Sequence, residues 1–495
     1  MKNIAILLSL LSLSSLAAAK NIKGKVYVDQ NQNMQWDKGE NLLPNILISN
    51  GRDIVPTNEK GEYKIAYIEG NQVFIIKPSQ YISPMIDNRP QNYAPAAALE
   101  AGSYDFALID HPESPNMTVA LLGDPQVKYI DDVHSMSKTV TDELAGQELA
   151  YVVPLGDITF DSHDLFQPLA ESLGLIGAPV FYVMGNHDQN YDAAQFNDRD
   201  KNFENYFGPS YYAFEFGKDL GIIVNNIYPL EGTGYKGMLD EDQYTFIKNL
   251  LAITGKDYRY VRMFMHIPLE EMEDMKRVID LFKGRKNVLV VTGHTHTQYH
   301  KDFKRAGEPD IHELVAGATC GSWWSGPRDL QGVPSAIMND GSPRGYWFLN
   351  TANETFRYKA SEKPADYQMS ILTPEINIWD TTFNEFDPQH IYVNVFAGSE
   401  ATNVQITFDG ENWTEMSKYE GMDPTVKQVY YLQQQGRFDS NKISKMWEPK
   451  VNSDHLWRIA IPEDLKPGTY LIRVKAEEKE FGLDAVGMGV LVIGY

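Results

Sequence analysis

The 495-residue sequence predicts a multidomain fold, a central α/β domain between two all-β sandwich domains. Three observations carry this expectation. The chain is too long for one hydrophobic core, and its length argues for roughly two to four domains. From about 115 to 358, continuous apolar runs alternate with segments of helical period, the pattern of a sheet covered on both faces. On either side, short alternating strands are punctuated by turn residues, the pattern of sandwiches. The expected division is a leader at 1–19, an N-terminal β-sandwich at 20–110, the α/β domain at 111–360 and a C-terminal β-sandwich at 361–495.

The leader reading rests on "MKNIAILLSLLSLSSLAAAK", with a basic start, an apolar stretch and small residues at Ala17-Ala18-Ala19. This is the layout of a secretory signal peptide; the alternative is a buried N-terminal helix. Its cleavage predicts an exported protein, periplasmic or secreted. No Cys follows the small residues, which argues against a lipid anchor, and no later run approaches the ~20 apolar residues of a membrane span. The chain has 1 Cys, Cys320, so no intrachain disulfide can form and packed cores must supply stability. Hydrophobic residues at 43% against 22% charged place the chain among ordinary globular proteins. A formal net charge of -23 argues against a general nucleic-acid or anionic-membrane binder, although metal ions can build a small positive site within it.

The N-terminal strands are read from "GKVYVD", "ILISNG", "GEYKIAYI" and "NQVFIIKPS", with turn signals at Asn50-Gly51 and Lys60-Gly61. The loop "DQNQNMQWDKGE" sets Asp29, Asn31, Asn33, Asp37 and Glu40 at the offsets of a calcium loop, but Met34 replaces the usual central Gly and no helix pair flanks it. It reads either as a Ca²⁺ site or as a solvated polar turn. The central strands are "VALLG", "YVVPLG", "VFYVMG", "GIIVNN", "VRMFMH" and "NVLVVTG", and helices are expected at 132–149, 165–173, 240–252 and 270–282. Ligands of such folds gather at the carboxyl ends of the strands. Beyond the polar connector "ASEKPADYQ", strands return in "IYVNVFA", "NVQITFDG", "HLWRIAIP", "GTYLIRVKA" and "GVLVIGY".

The central strand ends carry metal-capable residues in five blocks. They are Gly123-Asp124-Pro125-Gln126, Gly156-Asp157, Gly185-Asn186-His187-Asp188, Met265-His266-Ile267-Pro268 and Gly293-His294-Thr295-His296. Singly, each has an ordinary explanation: a turn, a helix cap or a structural histidine. Asp124 and Gln126, held apart by a proline, form either a turn or two side chains aimed at one object. Together, in one α/β unit, the blocks are far more specific. They offer oxygen and imidazole donors and no thiolate, which suits Zn²⁺, Fe, Mn²⁺ or Ni²⁺ better than Ca²⁺.

At these residues the chain resembles the calcineurin-like metallophosphoesterases, a superfamily marked by D-x-H, G-D, G-N-H-D/E, a histidine and G-H-x-H at strand ends. The resemblance is strong over roughly 117–303, and the flanks resemble a subfamily with a preceding β-sandwich and a further C-terminal domain. Gln126 stands where the family usually has His, as in its D-P-Q members. The resemblance implies β-sandwich sheets flanked by helices and two divalent or trivalent metal ions (Zn, Mn, Fe or Ni). It also implies hydrolysis of a phosphate mono- or diester by a metal-bridging hydroxide. By motif, Asp124, Gln126, Asp157 and His296 hold one metal, and Asp157, Asn186, His266 and His294 the other. His187 is left to stabilise the phosphoryl group or protonate the leaving oxygen, with Asp188 orienting its imidazole.

His134, His163, His300 and His312 fit none of these slots. The Gly-rich stretch "GATCGSWWSGPRDLQGVPSAIMNDGSPRGYWFL" follows the last block and carries Trp323, Trp324, Arg328 and Arg344. These four residues either line a substrate cleft, where Arg suits a phosphate or carboxylate, or the tryptophans pack against the C-terminal sandwich. The rival to an enzyme is a non-catalytic binding or adhesion protein on the same scaffold, supported by Gln126 alone.

Overall fold

A computed structural model describes residues 20–255, 258–374, 389–437 and 445–494. The expected leader at 1–19 lies outside the described residues. The chain is a multidomain mixed α/β protein with many sheets and few, short helices.

The apolar run at Thr118–Leu122 becomes the hub of a four-stranded sheet. It pairs in parallel with Leu149–Pro154 and antiparallel with Gly345–Asn350, which pairs in turn with Thr355–Ala360. A six-stranded sheet runs in the order Tyr212–Phe216, Asp219–Ile223, Val261–Phe264, Val288–Thr292, Glu308–Ala316, Gln298–Arg305. Its middle pairs are parallel and its two outer pairs antiparallel. The continuous apolar runs are explained by this arrangement, because both faces of the inner strands are covered: Val119 to Leu122 and Val288 to Val291 are buried. The sheets meet through Tyr151, whose ring lies 5.3 Å from those of both Phe214 and Phe216.

Three expected elements take a different form. The helix read at 132–149 runs as Ile130–Met136, widens to a π-type turn at Ser137–Thr141 and ends at Leu144. Gly146, at φ 76°, then turns the chain so that Leu149 can enter the sheet. The helix read at 270–282 is a short turn at Leu269–Glu271 followed by Met275–Leu281. The run at 180–185 lies parallel to Leu149–Pro154, bridged at Val180 and Val183, without a continuous ladder. By contrast, the helix Glu241–Ile253 follows its periodicity: Asp240 caps it by accepting from the Gln243 amide at 2.8 Å, and Phe246, Ile247, Leu250 and Leu251 are buried.

On the N-terminal side, Asn21–Val28 pairs with Glu62–Ala66 and Phe106–Asp110, and Leu47–Ser49 with Ile54–Pro56 and Phe74–Ile76. A short helix, Ala96–Ala101, accompanies them. This part docks on the edge of the six-stranded sheet, where the Glu215 amide donates to the Lys77 carbonyl at 2.7 Å and Phe74 meets Phe246 at 5.4 Å. In the 29–40 loop, Asp37 accepts from the Asn31 and Asn33 amides at 2.8 and 3.0 Å. Asp29 and Glu40 accept from backbone amides, so hydrogen bonds close the loop. On the C-terminal side, one four-stranded sheet centres on His390–Val395 and Leu456–Ala460 and another on Asn403–Thr407 and Gly468–Glu478. A helix, Pro424–Gln434, lies beside them, so each flank carries a helix as well as strands. No helix among the described residues is long and apolar enough to cross a membrane.

A buried ion cluster ties the two central sheets together. Arg262, in the middle of the six-stranded sheet, donates to Asp219 at 2.6 Å and forks onto Glu354, beside the four-stranded sheet, at 2.9 and 2.7 Å. Removing the guanidinium leaves Glu354 uncompensated, while Asp219 keeps Arg259 at 2.6 Å. Arg262→Met is expected to cost about 3–5 kcal/mol of stability, read from denaturant unfolding.

Candidate metal centre

The five blocks converge at the carboxyl ends of the parallel strands. Asp124 follows Thr118–Leu122, Asp157 follows Leu149–Pro154, His266 follows Val261–Phe264 and His294 follows Val288–Thr292. Asp124, Gln126, Asp157, Asn186, His266 and His296 are buried, and His294 is partly exposed. Close approach makes the glycines necessary: a Cβ on Gly185 would lie 2.0 Å from the Asp157 nitrogen, and one on Gly293 2.4 Å from Asp124 Oδ2. Asp124, Gln126, Asp157, His294 and His296 all hold positive φ, at 37°, 40°, 46°, 75° and 53°. A non-glycine residue in that region costs roughly 1–3 kcal/mol and persists only where the surroundings hold it.

His266 Nε2 is the meeting point. It lies 3.3 Å from Asp157 Oδ1, 3.1 Å from Asn186 Oδ1 and 3.2 Å from His294 Nδ1. Ligand atoms of Asp157, His266 and His294 all fall within 4.8 Å of one another. On the other side, His296 Nε2 faces Asp124 Oδ1 at 3.7 Å. Backbone carbonyls set both rings: His266 Nδ1 donates to Leu155 at 2.8 Å and His296 Nδ1 to Gly321 at 2.6 Å. Each Nε2 is thereby turned into the cluster, the arrangement that metal-binding imidazoles need.

The cluster fits a cation. Asp124 Oδ1 is buried without a hydrogen-bond partner, and a lone buried carboxylate oxygen is costly unless a cation faces it. Burial raises the Asp124 pKa well above the carboxylate range, against the pull of His266. Burial acts on Asp157 in the same sense, but His266, His187 and His294 together hold its pKa below the usual range. Burial would lower His266, yet Asp157 and Asp124 push it up to about 10. Burial and the His266 charge press His294 down to about 3, and burial presses His296 down to about 4. A proton on His266 thus takes the place of positive charge among these donors, and a bound cation would displace it. Cys320 Sγ sits 3.9 Å from Gln126 Oε1, but burial and Asp124 raise its pKa, so it stays a thiol.

Two expected roles change. Asp188 does not orient His187: its carboxylate accepts from the backbone amides of Ile158, Thr159 and Gly185 at 3.0, 3.0 and 2.9 Å, fastening two ligand loops together. Burial and the neighbouring Asp157 push its pKa up to about 7. His187 is oriented instead by Asp161, with Nδ1 to Oδ1 at 2.9 Å, and its ring stacks on Phe160 at 4.3 Å. Asp161 carried no motif signal, because the contact forms between loops. Gln126 enters the cluster as a donor, with Nε2 on Asp157 Oδ2 at 3.0 Å. A half-turn of the amide exchanges its nitrogen and oxygen, and a cation at that point favours the oxygen.

The Gly-rich stretch divides. Trp323 stacks between His296, at 4.3 Å, and Trp447 of the C-terminal region, at 4.7 Å, so it touches the centre and the interface at once. Trp324 is buried and donates to the Pro125 carbonyl at 3.0 Å, bracing the Asp124–Gln126 turn instead of facing a cleft. Arg344 is also buried, committed to Glu362 and the Pro334 carbonyl. Arg328 is exposed and donates to the Gly332 carbonyl at 2.5 Å. His163 pairs with Asn202 at 3.0 Å and lies against the backbone of His187 and Gln189, and His300 pairs with His312 at 3.0 Å between two neighbouring strands.

Carboxylates, amides and imidazoles gathered at the strand ends of a two-sheet α/β core make a candidate metal-binding scaffold. Residues 117–298 match the family model for calcineurin-like phosphoesterase, and residues 313–482 match that for the C terminal of calcineurin-like phosphoesterase. The chain belongs to the calcineurin-like phosphoesterase superfamily and carries its C-terminal domain. No curated protein matches it. Family membership implies divalent metal ions and phosphate-ester substrates.

Proposed function

We propose that the protein is an exported dimetal phosphoesterase hydrolysing a phosphate mono- or diester. The observation that carries the reading is the junction of buried Asp124, Asp157, Asn186, His266 and His296 with the partly exposed His294, where Asp124 Oδ1 is left for a cation. One ion (Zn, Mn, Fe or Ni) would be held by Asp124, Gln126, Asp157 and His296, and a second by Asp157, Asn186, His266 and His294. When bound, the ions supply Lewis acidity to the phosphoryl oxygens and lower the pKa of the attacking water. Asp157 spans both positions and is held by the His187 amide at 2.8 Å. His187, with Nδ1 tied to Asp161, presents Nε2 to the leaving oxygen or the phosphoryl group. Trp323 and Trp447 border the His296 side and are where we place the organic part of the ester. Removal of residues 1–19 as a secretory leader belongs to the same proposal.

The test is a panel of mono- and diesters on protein of measured metal content. Hydrolysis of at least one class is expected, lost on chelation and restored by Mn²⁺ or Zn²⁺. Protein that holds both ions yet cleaves none of them would favour the binding or adhesion reading. Gln126 gives a finer measurement. Gln126→Ala is expected to weaken the Asp124–His296 ion while sparing the other, and Gln126→His to tighten it, because imidazole donates more strongly than an amide oxygen. Metal stoichiometry under graded chelator reads both, and unchanged stoichiometry in Gln126→Ala would return Asp124-Pro125-Gln126 to a plain turn.

A further inference from the structure

We infer that His455, in the C-terminal region, is a positioning residue for the metal ligand His296, acting through Asp340. His455, Asp340 and Asn394 are buried. Asn394 Nδ2 donates to the Asp340 carbonyl and to Asp423 Oδ2, both at 2.9 Å, which leaves its Oδ1 to accept from His455 Nδ1 at 2.8 Å. The other nitrogen, Nε2, meets Asp340 Oδ2 at 3.2 Å. That same Oδ2 accepts the backbone amide of Gln298 at 2.7 Å, two residues beyond His296. Asp340 Oδ1 is taken by the Ser342 amide at 2.8 Å, and the Asn339 amide donates to the His296 carbonyl at 3.2 Å. The Gln298 side chain is clamped as well, donating to the Phe396 carbonyl at 2.9 Å.

The segment after Gly293 is therefore pinned from outside the catalytic sheet. His296 needs that pinning, because its φ of 53° is a strained conformation that relaxes unless both sides are fixed. Its ring is set by the Gly321 carbonyl and Trp323, while its backbone is set by Asn339 and, through Gln298, by Asp340. His455 holds Asp340 in register. The C-terminal region thus helps shape the ion site that contains His296, two positions before the pinned Gln298, while the other site meets this segment only through His294, two positions further back. Loss of a partner bonded directly to a ligand typically lowers metal affinity about 10–100-fold, and His455, which acts through Asp340 and the Gln298 backbone, should fall at or below the low end of that range.

The inference rests on His296 being a metal ligand, and the experiment separates the two. His455→Gln and His455→Asn are compared in the full-length protein by metal stoichiometry under graded chelator, with thermal unfolding measured in parallel. A glutamine amide reaches the Nε2 position and can still donate to Asp340; an asparagine amide reaches only the Nδ1 position and cannot. The expected result is near-wild-type binding of two ions in His455→Gln, and in His455→Asn weakening of the His296 ion by up to about 10-fold with the other ion weakened less. Equal behaviour of the two variants, or equal weakening of both ions in step with lost thermal stability, overturns the positioning role. His296→Ala, run alongside, should lose one ion. If it keeps both, the ligand assignment itself fails, whatever the His455 variants show.

Discussion

Asp157→Asn is expected to lose bound metal and to cut turnover by several orders of magnitude, the scale set by removing a centre that generates the nucleophile. Both carboxylate oxygens face the cluster: Oδ1 accepts from the His187 amide at 2.8 Å and faces His266 Nε2 at 3.3 Å, while Oδ2 accepts from Gln126 at 3.0 Å. An amide in its place removes the charge that both ion positions would share and turns one acceptor into a donor. His266, pushed up to about 10 chiefly against its burial by Asp157 and Asp124, would also lose its nearest counter-charge. Metal analysis and turnover on the same sample check the prediction. Wild-type turnover in this variant would sink the assignment of Asp157 as the shared ligand.

His187→Ala is expected to keep both ions and lose roughly 10²–10⁴-fold in rate. Its neighbour Asn186 faces His266, whereas the His187 ring turns away onto Phe160 and Asp161. If the ring protonates the leaving oxygen, the loss shrinks for esters with good leaving groups; an equal loss across leaving groups assigns it to charge stabilisation. Asp161→Asn should give a smaller loss of the same kind, because the ring keeps its stack on Phe160 and a polar partner. Loss of an ion in His187→Ala would refute its place outside the ligand set.

Much of the centre was legible in the chain because its ingredients are local. An apolar run followed by glycine and a metal-capable residue is a complete instruction: the run enters a buried parallel sheet, and glycine permits the close exit. Asp124, Asp157 and His294 were readable on those terms, His266 follows its apolar run without a glycine, and the geometry gathers all four. Where a local signal competed with another, the reading slipped. Asp423-Pro424 is a helix start, with Asp423 accepting from the Thr425 amide at 2.7 Å, yet it lay among strand signals. Arg262 was read within an apolar strand, and only its two carboxylate partners, from Asp219 and Glu354, explain a buried guanidinium there.

By itself the sequence determined four inner strands of the central region and which residues stand at their ends, since both depend on periodicity and on neighbours a few positions away; it did not show Tyr212–Phe216, Gln298–Arg305, Glu308–Ala316, Gly345–Asn350 or Thr355–Ala360, which complete the two sheets. It could not determine which side chain orients which. Asp188 is adjacent to His187 in the chain, but its carboxylate is drawn to the amides of Ile158, Thr159 and Gly185, while Asp161, twenty-six positions away, reaches the imidazole. The same holds for Trp324 under Pro125 and for Asp340 behind Gln298. Only the tertiary structure decided these pairings. A buried polar group takes the partner that packing brings within about 3 Å of it, and packing joins loops that no local pattern connects.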